Sequence, residues 1–268
     1  MTSRNKKKVL ITGASGLIGG LVLRGLGDRY DFSAVNRRAI EGIPCVQADI
    51  SDFDAILPAF EGIDTVLHLS AYTEDVYEWE GTERVNIRGT YNVYEASRIN
   101  GVKRIIFASS GGTMLGYELE SPYTEIVAAE YDKVPKVWPL ITDDMPVRPN
   151  SLCYVSKVFG EVLGRMYSDQ HGISVLNIRF GAVLADDAPL MRRHYPGYLS
   201  HADAVQIVEK CIDAPEAVRY DIFEAMSDNR WRWRDITQAQ RVLGYEPKGS
   251  ADIYDIPDKG GRHQVNMT

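Results

Sequence analysis

The stretch "SLCYVSK", residues 151–157, places three proton-exchanging groups close together: Cys153, Tyr154 and Lys157. A free thiol titrates near ~8.5 and a phenol near ~10, and a nearby ammonium favours the anion of either. On a helix, positions four apart share a face, about 40° apart, whereas positions three apart lie about 60° apart on the other side. Cys153 is four residues before Lys157 and Tyr154 is three before it, so the two candidate acids point in different directions. Three readings stay open. An over-wound first turn, common at helix starts, brings Tyr154 into the site. Alternatively Cys153 is the proton donor, although its sulfur lies only one atom beyond Cβ and needs a bridging water or a deeply bound substrate. In the third reading the segment only binds, and Cys153 is a small buried residue. Catalysis with Tyr154 as acid/base is favoured over Cys153.

These groups need a scaffold. Short apolar runs rich in β-branched residues alternate with amphipathic stretches along the chain. Strands are expected at 8–13, 31–37, 43–50, 64–71, 103–110 and 173–181, with long helices near 83–100 and 153–170. This alternation predicts an α/β fold, a Rossmann-type doubly wound parallel sheet. Residues 1–181 are expected to form its dinucleotide-binding domain, with 111–150 a long active-site loop. Residues 182–268 are expected to form a small C-terminal substrate-covering region, with a helix over 200–213, a short strand near 219–225, a helix near 234–244 and a loose tail.

Between the first strand and first helix, "ITGASGLIGG" spaces Gly13, Gly16 and Gly19 three residues apart. That context points to a dinucleotide: one glycine for a tight turn, one for close approach to the pyrophosphate, one for helix–sheet packing. Ser15, Leu17 and Ile18 share the loop. The second strand ends on Asn36, Arg37 and Arg38, with no acidic residue for a ribose diol. Guanidinium forks bind phosphate well, so NADP is expected over NAD. Asp49 and Ile50, after the third strand, are candidates for the adenine. Such a cofactor carries out hydride transfer, which needs a proton-exchanging group beside the reacting oxygen.

The bulk composition narrows the classes. The 268 residues carry a net charge of −7, which argues against a general nucleic-acid surface. No run of 18 apolar residues is present to span a membrane, and the short apolar run near the N-terminus does not make a signal-peptide core. Cys45, Cys153 and Cys211 are scattered and odd in number, which fits a reduced, cytoplasmic setting and no structural metal. His201 and Asp203, two apart, do not face one another on a helix. A homodimer is expected.

The glycine spacing, "DTVLHLSA", "VNIRGTYNVYEA", "RIIFASS" and "ITDDMPVRPNSLCYVSK" together resemble the extended short-chain dehydrogenase/reductase superfamily. Within it, "SKVFGEVLGRMY" and "YLSHADAVQIVEKCIDAP" look most like the uronate dehydrogenase-like group of the NAD-dependent epimerase/dehydratase enzymes. The resemblance implies that Ser110 orients the substrate oxygen and Lys157 binds the nicotinamide ribose. It implies that Leu69, Ser70 and Ala71 line the cofactor and Asn86 supports it, and that Arg193 holds a sugar acid. Thr73, Gly111 and Gly112 fall at substrate positions. The departures are Cys153 at the usual tyrosine position, and Gly111 and Gly112 where uronate dehydrogenases carry larger polar residues. The expected activity is hydride transfer to or from a small polar substrate, a sugar or sugar acid. An epimerase or dehydratase that recycles its cofactor and a non-catalytic NADP sensor are the alternatives.

Overall fold

The computed structural model describes residues 6–256. Seven parallel strands form one sheet: β1 Lys8–Thr12, β2 Asp31–Asn36, β3 Cys45–Gln47, β4 Thr65–His68, β5 Arg104–Ser110, β6 Ser174–Phe180 and β7 Tyr220–Ala225. Their order is β3-β2-β1-β4-β5-β6-β7. Burial explains the strand sequences: β4 and β6 are covered at every residue, so both faces must be apolar or internally paired. The order reverses between β1 and β4, which is where α/β sheets open a crevice at their carboxyl edge. The register sets Ile11 against Ala34 and Leu67, and Thr12 against His68.

The helices are α1 Leu17–Leu26, α2 Phe53–Ile56, α3 Trp79–Gly81, α4 Thr90–Ile99, α5 Tyr123–Val127, α6 Leu152–His171, α7 His201–Ile212 and α8 Thr237–Leu243. The long helix expected from residue 83 opens instead as a π-helical segment, Thr82–Gly89, before α4 begins. The third strand is shorter than expected. Asp49 ends it by accepting hydrogen bonds from the backbone and hydroxyl of Ser51 at 2.9 and 2.8 Å, an Asx turn that leads towards α2.

The chain divides into two compact units that are discontinuous in sequence. The first takes in the chain up to Ser109, together with Ser151–Asn177 and Cys211–Ile222. The second comprises Ser110–Asn150, Ile178–Lys210 and the chain from Phe223 onward. Residue 181, the expected boundary, falls within the Ile178–Lys210 segment of the second unit. The strand expected in a separate C-terminal region is β7 of the common sheet. The 111–150 stretch carries regular structure in its first part. It holds a 3₁₀ helix at Gly111–Leu119 and then α5. Met114, Tyr117, Tyr123, Ile126 and Ile141 pack there with Trp233, giving the second unit its own core. Trp231 stacks on Tyr131 in the same unit, with ring centroids 4.0 Å apart.

In the first unit, Leu10, Val66, Ile105, Phe107, Val93 and Val175 form the centre of the core. Each contributes about 1.5–3 kcal/mol by leaving water. One buried cation is built into the same unit. Arg104 donates to the carbonyls of Cys211, Ile212, Ala214 and Pro215 at 2.7–3.2 Å and to Ser174 Oγ at 3.1 Å. It thereby satisfies the last carbonyls of α7, where a positive charge also suits the helix dipole. Among the described residues no helix is long and apolar enough to cross a membrane. No group of His, Cys, Asp and Glu among them is placed to hold a metal ion. The expected C-terminal tail lies outside the described residues.

Candidate active site

The glycine loop follows β1 in the first unit. Gly13 has φ +78°, and a Cβ there would stand 2.8 Å from the backbone nitrogen of Ser70. Both conditions select glycine. A Cβ on Gly19 would meet Ala14 Cα at 2.7 Å, so glycine is needed where α1 packs against the loop. Gly16 caps α1 without any side-chain hydrogen bond, leaving the first N–H groups of the helix free to face an anion. Ser15, Gly16 and Leu17 are exposed and Ile18 is half-buried. These features fit a dinucleotide pyrophosphate.

Asn36 is committed to the protein. Its Oδ1 accepts from Ser15 Oγ at 3.1 Å, and its Nδ2 donates to the Arg38 carbonyl at 2.7 Å. Asn36 therefore ties the end of β2 to the glycine loop, while Arg37 and Arg38 are exposed beside it. Asp49 pairs with Arg84, and Ile50 is a core residue whose carbonyl accepts from Asn92 at 2.9 Å. Leu69, Ser70 and Ala71 follow β4, half-buried, and Thr73 is exposed.

The helix carrying Cys153, Tyr154 and Lys157 starts regularly. Ser151 caps α6 by accepting from the Tyr154 backbone N–H at 3.3 Å. The Val155 N–H reaches the Ser151 carbonyl at 3.0 Å, an α-helical rather than a 3₁₀ bond. The over-wound turn is absent, so Tyr154 keeps its place three residues before Lys157. Cys153 is buried against the segment after β4. Its backbone N–H donates to the Val76 carbonyl at 3.0 Å, and its thiol donates to the Tyr72 carbonyl at 3.7 Å. Asn86 is bonded to the N–H of Tyr72 at 2.6 Å and to its carbonyl at 3.1 Å, and donates to Cys153 Sγ at 3.9 Å. The π-helical segment thus supplies the group that clamps Tyr72 next to the thiol.

Lys157 is buried at 8% exposure, its ammonium 5.2 Å from the centre of the Phe107 ring. Among the described residues no carboxylate pairs with it. Burial lowers its pKa from the usual lysine range, partly opposed by Cys153. Burial likewise raises the Cys153 thiol, against the pull of the Lys157 charge. Beside them His68 bridges Thr12 Oγ1 at 2.7 Å and Thr90 Oγ1 at 3.1 Å. Burial, then the Lys157 charge, pushes His68 down to about 3. His68, Thr12, Thr90 and Tyr72 are additions to the residues picked out from sequence. A histidine inside an otherwise apolar strand was the available signal for the first.

In the second unit, Ser110 ends β5. Its Oγ accepts from the Gly112 N–H at 3.0 Å, which leaves the hydroxyl hydrogen to donate elsewhere. Gly111 and Gly112 are buried. Arg193 does not stand alone: its Nη2 pairs with the buried carboxylate of Glu118. Arg234 and Arg179 both approach Glu224, at 3.1 and 3.5 Å.

A parallel sheet reversing at β1, a glycine loop opening α1 and a buried lysine on α6 define a Rossmann-type dinucleotide-binding protein. The chain belongs to the NAD dependent epimerase/dehydratase family, which matches residues 9–215. It is an enzyme of the short-chain dehydrogenase/reductase type. It is 33% identical to L-arabinose 1-dehydrogenase (NAD(P)(+)) of Haloferax volcanii over 91% of this chain and 97% of that one. It is 31% identical to uronate dehydrogenase of Pseudomonas putida over 95% and 88% of the two chains. The crystal structure of uronate dehydrogenase from Agrobacterium tumefaciens superposes with a TM-score of 0.76 at 30% identity, covering 92% of this chain and 86% of that one.

Proposed function

We propose that this chain is an NADP-dependent oxidoreductase acting on a free sugar or sugar acid. The observation that carries the reading is Lys157, an ammonium buried in the cofactor-binding unit with no carboxylate partner among the described residues. Burying an unpaired charge is costly, and hydroxyl groups of a bound ribose offset that cost. The relatives named above support the substrate class, since they act on arabinose and uronates.

When bound, the dinucleotide supplies or accepts the hydride. The loop from Gly13 to Gly19 and the free N–H groups of α1 hold its pyrophosphate. Arg37 and Arg38 take the 2′-phosphate, with no acid there to repel it. Lys157 holds the ribose and favours the anionic form of the acid/base. Ser110 donates its remaining hydrogen to the reacting oxygen. Tyr154 exchanges the proton from its regular helical position, three residues before Lys157, without the over-wound turn. Cys153 is the weaker candidate because its thiol is spent on the Tyr72 carbonyl and burial keeps it protonated.

A screen of free aldoses, uronates and nucleotide sugars with both cofactors tests the reading. Tyr154→Phe should lower kcat by ~10²–10⁴, the usual worth of a general acid/base, while Cys153→Ala changes it little. Cys153→Tyr should lose activity, because a ring at 153 displaces the contacts with Tyr72 and Asn86. A larger loss in Cys153→Ala than in Tyr154→Phe would transfer the role to the thiol. NADP binding without turnover of any sugar would reduce the chain to a cofactor-binding module.

A further inference from the structure

Residue 111 has no side chain, yet the space beside it is filled. A Cβ on Gly111 would lie 1.4 Å from Nη1 of Arg234. The guanidinium thus stands where a side chain of residue 111 would begin, one residue after Ser110. A second glycine makes way for it as well: a Cβ on Gly197 would lie 3.3 Å from Arg234 Nη2. The arginine is fixed in this position. Its Nη1 donates to Glu224 Oε2 at 3.1 Å, its residue bridges the backbone of Ile141, and its guanidinium carbon lies 5.4 Å from the Trp233 ring centre. Its side chain is 5% exposed.

Two further observations concern what this arginine can bind. Glu224 is divided between two cations, with its other oxygen 3.5 Å from Arg179, so Arg234 does not hold a carboxylate of its own. A guanidinium carries five N–H groups, and Glu224 engages Arg234 through Nη1. Arg193 stands on the 3₁₀ turn that ends at Gly197. It gives Nη2 to Glu118, and its Nη1 is buried with no hydrogen-bond partner. A buried donor left unsatisfied marks a place where an acceptor is missing. The turn Arg192–Gly197 therefore carries an orphaned N–H at one end and abuts the Arg234 fork at the other.

We infer that Arg234 is the residue that selects an anionic sugar, taking a carboxylate or phosphate of the substrate on a guanidinium lodged in the space left by Gly111. The inference rests on the sugar oxidoreductase reading above. Arg193, expected to hold the acid, gives Nη2 to Glu118 and contributes the two N–H groups of its unpartnered Nη1. The discriminating charge is thereby carried by the segment after β7 rather than by a side chain following β5. A planar fork matches a carboxylate or a phosphate through two parallel hydrogen bonds, whereas a neutral hydroxymethyl group uses one.

Binding to the NADP-loaded enzyme separates this role from a scaffolding one. Calorimetric titrations with D-glucose, D-glucuronate and D-glucose 6-phosphate give the preference for an anion and distinguish carboxylate from phosphate. The parent should bind one of the two anions about 10- to 100-fold more tightly than glucose, the range for a charge-assisted hydrogen bond. Arg234→Met should bring that ratio close to one while glucose binding changes only slightly. Glu224 keeps Arg179 as a partner in this variant, so no carboxylate is stranded. Arg234→Lys should retain part of the preference. Gly111→Ala should reproduce the loss, because its Cβ displaces the guanidinium. Equal weakening of all three sugars in Arg234→Met would show a structural role and overturn the inference. So would an unchanged ratio, a loss seen only in Arg193→Met, or no anion preference in the parent. Turnover is measured separately: absence of turnover with the binding preference intact counts against the oxidoreductase reading and leaves the role of Arg234 standing.

Discussion

His68 makes the protein sensitive to acid in a way that can be calculated. The imidazole is 1% exposed between Thr12 and Thr90, and burial near Lys157 pushes its pKa down to about 3. In the unfolded chain it returns to near 6.5. As pH falls below about 6.5, the unfolded state binds a proton that the folded state refuses. Stability is therefore complete above that value and is lost as pH falls towards 3. At pH 5 the loss amounts to about 2 kcal/mol from this one group. His68→Asn removes the titration and keeps a polar group in reach of Thr12. It costs ~1–3 kcal/mol at every pH, because Thr90 loses its partner. Urea unfolding followed by tryptophan fluorescence at pH 7.5 and pH 5.0, for parent and variant, gives the difference of differences, in which other titrating groups cancel. The parent should lose about 2 kcal/mol more than the variant. Equal losses, or an imidazole NMR signal titrating near 6.5 in the folded protein, would refute the reasoning.

Arg37→Ala should weaken NADP binding by about 10- to 100-fold and leave NAD within a few-fold, since a 2′-phosphate loses a charge-assisted partner. Fluorescence titration of both cofactors checks this, and tighter NAD than NADP binding in the parent would refute it. Gly13→Ala should destabilise the protein by at least ~1–2 kcal/mol, the cost of a Cβ at positive φ, with a further penalty from the 2.8 Å approach to Ser70. An unchanged thermal midpoint together with an unchanged cofactor Kd would be the contrary result.

The strands were legible because burial on both faces leaves a direct trace, as in "KVLIT" and "RIIFASS". The glycine loop was legible for a similar local reason: Gly13, Gly16 and Gly19 each meet a steric demand within the first turn of α1 or its flanking loop. The 111–150 stretch left less local trace. Its turns are short, and its core depends on Trp233, 83 residues beyond its end. Arg234 left no local signal either, since its meaning comes from Gly111, Gly197 and Glu224. At Cys153 and Tyr154 the spacing exposes two directions. The start of α6 depends on the Ser151 cap, whose geometry no spacing rule reports.

The Arg104 cluster bears on how the protein is made. Its guanidinium joins the start of β5 to carbonyls 107 to 111 residues further along the chain. While the polypeptide is still being synthesised, that arginine belongs to a sheet whose remaining acceptors have not left the ribosome. The first unit, although it begins near the N-terminus, is not complete until Ile222 has emerged. The cofactor-binding half therefore cannot mature ahead of the Ser110–Asn150 and Ile178–Lys210 segments of the second unit, as an independent early domain would.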